Sequence, residues 1–212
     1  MKEASEHKNC IAVSYQCFYH KRLFKEVGIE KPLFYLPMSA RVDLFKRTLP
    51  TLHLTGKRVI AGGRLIPKKG LHQLAGVKNL TIFGDGPLKQ ELEQKLPDAE
   101  FVGWLDGEGL RDLMEDSWLF LNPSVVTNDG DREGIPNTIK ESLLMNLNCI
   151  STSVGGISEL DSVDILNDWS RINSVIENTT RAPNKKGRLE ILNTYSPKSC
   201  VDRLLEAIGK YG

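Results

Sequence analysis

Short apolar runs alternate with amphipathic stretches along most of this chain. Cys10 to Ser14 has the pattern of a short buried strand, and Gln16 to Val27 follows with helical spacing. Gly28 stands where a helix commonly closes on a left-handed residue. Leu33 to Leu36 is a second short strand, stopped by Pro37, while Ser39 to Gly56 has no clean period and reads as a connector. From Lys57 the pattern becomes regular. Strands are predicted at Arg58 to Ala61, Leu80 to Phe83, Glu100 to Val102, Trp118 to Leu121 and Cys149 to Ser151. Helical patterns fall between them at Leu71 to Ala75, Leu88 to Leu96, Gly109 to Asp116 and Asn137 to Leu147. Short, wholly apolar strands alternating with amphipathic helices imply a parallel sheet covered on both faces, a doubly wound α/β fold whose ligands sit at the carboxyl ends of the strands. Lys198 to Lys210 forms a last amphipathic helix, with Val201, Leu204, Leu205 and Ile208 on one face.

Charge and composition narrow the function classes. Lys plus Arg (28) nearly balance Asp plus Glu (27), so no global field favours nucleic acid or an acidic membrane. The longest apolar runs, such as Trp118 to Leu121, are too short to span a bilayer, and the first residues are polar. The four cysteines (Cys10, Cys17, Cys149, Cys200) and four histidines (His7, His20, His53, His72) show no metal-ligand spacing. Reduced thiols in a cytoplasmic protein, peripheral at most to the membrane face, are the expectation.

The strongest chemical signal is the run from Asp129 to Glu141, in which Glu133 and Glu141 flank Gly134, Ile135 and Pro136. Pro136 suits the first turn of a helix, and Ile139, Leu143 and Leu147 give that helix a buried face. Glu133 then lies in the loop before the helix and Glu141 more than a turn inside it. The helix start at Asn137 and Thr138 offers unpaired N–H groups and a positive dipole end to an anion. Phosphate at the helix end, one carboxylate for ribose hydroxyls and a second for a sugar would suit a nucleotide-sugar. Two glutamates alone would more simply be a first-turn acid and a solvated side chain; the attached Gly-Ile-Pro loop tips the balance.

At this point the chain resembles the retaining glycosyltransferases of family 4, which have two Rossmann-like domains in the GT-B arrangement. The likeness is carried by Leu121-Asn-Pro-Ser124, Glu133 to Glu141, Ser151-Thr-Ser-Val-Gly-Gly-Ile-Ser-Glu159, Gly62-Gly-Arg-Leu-Ile-Pro-Lys-Lys-Gly70, Phe83-Gly-Asp-Gly-Pro87 and Phe101-Val-Gly-Trp-Leu105. It runs from about Lys57 to the end of the chain. The resemblance implies that Arg64 and Lys69 bind the donor diphosphate, that Glu133 holds the donor sugar and that Glu141 holds the ribose. It makes Glu133, Arg64 and Lys69 the catalytic set, and Glu141, Gly134, Ile135, Pro136, Asn137, Thr138, Gly63, Gly84 and Leu105 the donor-binding set. Gly84 and Gly86 allow close approach of backbone to a ligand, or simply make a good turn. Trp104 reads equally as a stacking surface for a base or as a core residue. Glu159 is expected to cap or pair locally, and Asp129 and Asp131 to lie in a solvated loop.

Two departures from the family pattern stand out. Asn146-Leu-Asn-Cys149 replaces a glycine turn, which Asn can take over in a left-handed conformation. Pro37-Met-Ser-Ala-Arg-Val-Asp43 lacks the glycine of the interdomain hinge. The resemblance divides the chain into residues 1–55, a remnant of the acceptor-side domain with its connector, residues 56–197, the nucleotide-sugar-binding domain, and residues 198–212, a helix crossing back to the first domain. The implied function is transfer of a sugar from a nucleotide-diphosphate sugar to an acceptor hydroxyl in polysaccharide or glycoconjugate synthesis. It needs no cofactor and no metal, and its partners are the donor and a glycan or glycolipid acceptor. The alternatives are a non-catalytic nucleotide-sugar-binding subunit that works with a separate acceptor-domain partner, and a phosphorylase or epimerase on the same architecture.

Overall fold

The computed structural model describes residues 2–47 and 57–212. In chain order the elements are α1 (Lys2–Glu6), β1 (Val13–Tyr15), α2 (Phe18–Glu26), β2 (Leu33–Tyr35), β3 (Arg58–Gly62), β4 (Leu80–Phe83), α3 (Lys89–Lys95), β5 (Glu100–Gly103), α4 (Gly107–Glu115), β6 (Ser117–Asn122), α5 (Asn137–Leu144), β7 (Asn148–Ser151), β8 (Asp164–Ile165), α6 (Ile172–Asn178), α7 (Lys185–Tyr195) and α8 (Pro197–Tyr211). The expected stretch at Leu71 to Ala75 is a 3₁₀ turn, Leu71–Leu74.

Strands β3 to β8 form one sheet in the order β5-β4-β3-β6-β7-β8, every pairing parallel. This is a doubly wound Rossmann-like sheet, as the alternation of strands and helices predicted. Its order reverses between β3 and β6, and the crevice at that switch point is where such sheets bind ligands. The strands send alternate residues to two separate cores. Ile60 and Phe120 face a cluster with Leu143, Ile191 and Tyr195, whereas Val59, Ala61, Leu119 and Leu121 face Leu74, Leu92 and Trp169. Period-two alternation with both faces apolar is what two helical layers require.

Several pieces depart from expectation. The connector is not an inert link: Phe45 is fully buried in the first core, and the Arg47 guanidinium donates to the carbonyls of Met145, Glu115 and Ser117. The rest of that connector, residues 48–56, lies outside the described residues. Strand β8 and helices α6 and α7 had no predicted counterpart. In helix α7 a Cβ at Gly187 would meet the end of the Leu143 side chain at 2.6 Å, and the helix buries Gly187, Ile191 and Tyr195. In α8 the predicted apolar face is the uncovered one, with Val201, Leu204, Leu205 and Ile208 all exposed. The neighbouring row packs instead on the amino-terminal piece: Arg203 lies over the Tyr35 ring, Tyr211 meets Phe34, and the Cys200 thiol donates to the Pro37 carbonyl. Thus β1 and β2, a parallel pair of their own, sit beside the last helix.

Candidate functional site

The turns after β3 and β4 are stacked backbone on backbone. The Gly63 N–H donates to the Phe83 carbonyl (3.0 Å), and the Leu65 N–H donates to the Asp85 carbonyl (2.8 Å). Gly84 has φ +104°, and a Cβ there would sit on the Gly63 carbonyl oxygen. Gly84 therefore answers first to the neighbouring turn, because the two turns could not close with a side chain at that position. The stacking presents Arg64, exposed and without an ion-pair partner among the described residues, at the mouth of the crevice.

The loop before α5 is pinned from the other side. Gly155, at φ +68°, lies so close that a Cβ would sit on the Glu133 carbonyl oxygen, and the Gly156 N–H donates to the Gly134 carbonyl (3.0 Å). Held in this way, the Glu133 carboxylate pairs with the Lys69 ammonium at 3.1 Å, both side chains nearly buried. Pro136 then opens α5 with φ −59° and no side-chain cap. The first backbone N–H of the helix to find a described acceptor is that of Ile139, and the Thr138 hydroxyl is buried without a partner. Asp106 caps α4, Asn184 caps α7 and Ser196 caps α8, whereas α2, α3 and α6, like α5, receive no side-chain cap from the residue before them. An uncapped helix start near an exposed guanidinium without a described partner has the chemistry to receive an anion.

Deeper in the crevice, Glu141 is 4% exposed and meets Arg41, whose Nε lies 2.9 Å and whose second terminal nitrogen lies 2.8 Å from the same carboxylate oxygen. The crevice encloses about 550 Å³ and is bounded by Arg41, Gly63, Arg64, Gly84, Leu105, Asn137, Thr138 and Glu141, with Asp85 and Trp104 at its edge. Trp104 is 72% exposed, which settles its two readings against the core. Seven of the expected site residues thus meet in one crevice. Lys69, Glu133, Gly134, Ile135 and Pro136 do not line it; they form the pinned loop and ion pair alongside, with Ile135 packed on the first core. His20 of α2 lies against Gly134, its ring carbon 3.2 Å from where a Cβ would be, and burial pulls its pKa below the ordinary imidazole value.

Two residues behave differently from expectation. Glu159 does not act locally: its carboxylate accepts from the Phe18 and Tyr19 N–H groups (2.9 and 3.0 Å), closing the start of α2 more than a hundred residues away. Arg41 was invisible in the sequence because nothing in the connector announces a partner a hundred residues on. Asp131 pairs with Lys68 at 3.1 Å, and Asp129 accepts from the Thr127 hydroxyl, which lowers its pKa. These two belong to the rim of a larger, more open hollow of about 840 Å³ on the other side of the Lys68 turn.

Residues 42–169 match the family described as glycosyl transferases group 1. The chain belongs to this family. Among curated members, this group 1 glycosyltransferase chain is 30% identical over 140 residues to the amylovoran biosynthesis glycosyltransferase AmsK of Erwinia amylovora, covering 63% of this chain and 34% of that one. It is 32% identical over 148 residues to a GDP-mannose-dependent alpha-mannosyltransferase of Corynebacterium glutamicum, covering 66% and 32% respectively. The chain therefore spans about a third of the length of these relatives. Its fold matches a sucrose-phosphate synthase from Thermosynechococcus elongatus with a TM-score of 0.77 at 16% identity, over 96% of this chain and 59% of that one. It also matches Anabaena HepE, solved in complex with UDP and glucose, with a TM-score of 0.74 at 18% identity, over 94% and 63%. The six-stranded parallel sheet is that of the carboxy-terminal Rossmann-like domain of GT-B glycosyltransferases. No helix among the described residues is long and apolar enough to cross a membrane.

Proposed function

We propose that this chain is the donor-binding part of a retaining family 4 glycosyltransferase, and that the crevice at the β3/β6 switch point takes a nucleotide-diphosphate sugar. Residues 56–197 are then the donor domain, residues 1–55 the remnant of an acceptor-side domain, and residues 198–212 the crossing helix. The observation that carries this reading is the open start of α5, where the unengaged N–H groups of Asn137 and Thr138 border the same crevice as Arg64, with the Thr138 hydroxyl buried beneath without a described partner. The diphosphate sits there, Arg64 offers its free guanidinium, and Glu141 receives the ribose. Lys69 stabilises charge growing on the leaving diphosphate, an electrostatic role that strengthens toward the transition state. Glu133, held by Lys69, orients the donor sugar. Glu133 and Glu141 are not assigned the acid and nucleophile roles of a glycosidase pair.

The relatives suggest the donors to try: HepE was solved with UDP and glucose, and the Corynebacterium glutamicum relative is named for GDP-mannose. Calorimetric titration with UDP, GDP and ADP tests the assignment and identifies the base. Arg64→Ala, which removes an exposed and unpaired cation, should weaken every nucleotide that binds by a similar factor. Glu141→Gln should cost about 1.5–3 kcal/mol through lost charge-assisted hydrogen bonds to ribose. If no nucleotide binds, or if both variants bind as well as the parent, the donor-site assignment is wrong. Transfer to an acceptor hydroxyl belongs to the enzyme with its acceptor side complete.

A further inference from the structure

The Arg41–Glu141 pair combines features that a surface ion pair lacks. The Glu141 side chain is 4% exposed while that of Arg41, which borders the crevice, is 50% exposed. Both described contacts fall on Oε1, so Oε2 accepts nothing among the described residues. The guanidinium lies over the Phe45 ring, 4.9 Å from its centre, and Phe45 is fully buried. On the far side, a terminal nitrogen of Arg41 comes within 2.7 Å of where a Cβ on Gly107 would stand. The fold thus keeps a floor and an opening for this one side chain.

We infer that Arg41 is a ribose-recognition residue, forming with Glu141 a paired donor and acceptor for the diol of a ribonucleoside diphosphate. This rests on the donor-site reading above and deepens it. A carboxylate can only accept hydrogen bonds and a guanidinium can only donate them, whereas each ribose hydroxyl does both. Glu141 alone would leave the acceptor capacity of the diol unused. With Arg41 in place, one hydroxyl donates to the open Oε2 and the diol oxygens accept from the remaining guanidinium N–H groups. Arg41 also keeps a counter-ion beside a carboxylate that is otherwise buried. Arg41 acts at the nucleoside end of the crevice, apart from the diphosphate at the start of α5.

The decisive comparison is calorimetric titration of the parent chain and Arg41→Met with a nucleoside diphosphate, its 2′-deoxy counterpart and inorganic pyrophosphate. Arg41→Met should bind the ribonucleotide roughly tenfold more weakly, the size of one charge-assisted hydrogen bond. The deoxynucleotide and pyrophosphate should be affected much less, so that the preference for ribose collapses. Gly107→Ala keeps every ionic group but pushes the guanidinium aside, and it should lose the same preference. Thermal midpoints close to that of the parent would place both losses in the crevice. Equal weakening of all three ligands would mean that Arg41 is only a source of positive potential, and the inference falls. Unchanged or tighter binding of the ribonucleotide by Arg41→Met would show that the arginine merely plugs the carboxylate, and the inference falls again. If the parent chain binds no nucleotide, the donor-site reading fails first and carries this one with it. Ribonucleotide binding by the parent with no loss in either variant overturns the role of Arg41 alone.

Discussion

Helices α2 and α5 begin alike and are finished differently. Neither has an acidic residue in its first turn, neither is capped by the residue before it, and both carry a cation there, Lys21 in α2 and Lys140 in α5. At α2 the chain supplies the missing anion itself: Glu159 crosses from beyond β7 and accepts from two N–H groups. At α5 no described residue supplies one, although Glu133 lies only a few residues away, because Lys69 holds that carboxylate aside. One helix end is therefore structural and the other is left available to a ligand. The difference lies in where two glutamates are tethered rather than in the helices themselves.

The comparison breaks most sharply if α5 is given its own anion. Asn137→Asp is nearly isosteric and places a carboxylate at the exposed first position of the helix. It should reduce nucleoside-diphosphate affinity about a hundredfold or more, since like charges then compete for one helix end. The fold itself should be unharmed or stabilised by up to about 1 kcal/mol. Calorimetry and thermal denaturation read the two effects separately, and unchanged affinity would remove the anion site from α5.

A second experiment sharpens the contrast through the first-turn cations. Lys21 is near the surface, but the Lys140 ammonium is buried, donates to the Met38 carbonyl at 2.7 Å and lies 5.3 Å from the centre of the Tyr195 ring. Burial pulls its pKa down to about 8. Below pH 8 both folded and unfolded chains hold the proton, and the folded chain bears the cost of the buried charge. Between about 8 and the ordinary lysine value the folded chain releases the proton while the unfolded chain keeps it, so this group adds stability as pH rises. Urea midpoints taken at pH 7.5 and 10 should show the parent gaining roughly 2 kcal/mol relative to Lys140→Met. A constant difference would mean that Lys140 is not desolvated as its position implies.

The smallest effect is expected at the end that is already filled. Glu159→Ala leaves two N–H groups of α2 to water and should cost about 1 kcal/mol of stability, read by chemical denaturation. Nucleotide affinity should stay within about twofold of the parent. A large loss of affinity would show that the two helix ends are coupled and that the contrast drawn between them is too strict.

Much of this was legible in local patterns, because a strand or helix advertises itself by its period. The sheet, its parallel sense and the start of α5 followed from apolar runs and from Pro136. Asn146 takes φ +59°, the left-handed turn that its side chain permits, and Gly28 does the same at +76°. Helix α7 escaped notice because its apolar positions are few, with Leu189 exposed and only Ile191 and Tyr195 among its large side chains buried. The apolar row of α8 misled because the row that packs includes Arg203, an amphipathic side chain lying on an aromatic ring. Glu159 and Arg41 could not be placed at all. Each works through a partner a hundred residues or more away, and no window on the sequence contains both ends.

Strand β3 lies at the middle of the sheet, with Val59 beside Leu80 of β4 on one side and Leu119 of β6 on the other. Its first neighbour arrives one crossover later, but its second waits until α3, β5 and α4 have passed. Pairings so distant along the chain close slowly, because the entropy of the intervening loop is lost before any contact compensates. The crevice spans that same junction, its walls being the turn after β3 and the start of α5. Ligand-binding competence is consequently acquired late in folding. Under the proposed reading, a nucleotide added to a refolding chain would capture the finished sheet without guiding the insertion of β6 that completes the crevice.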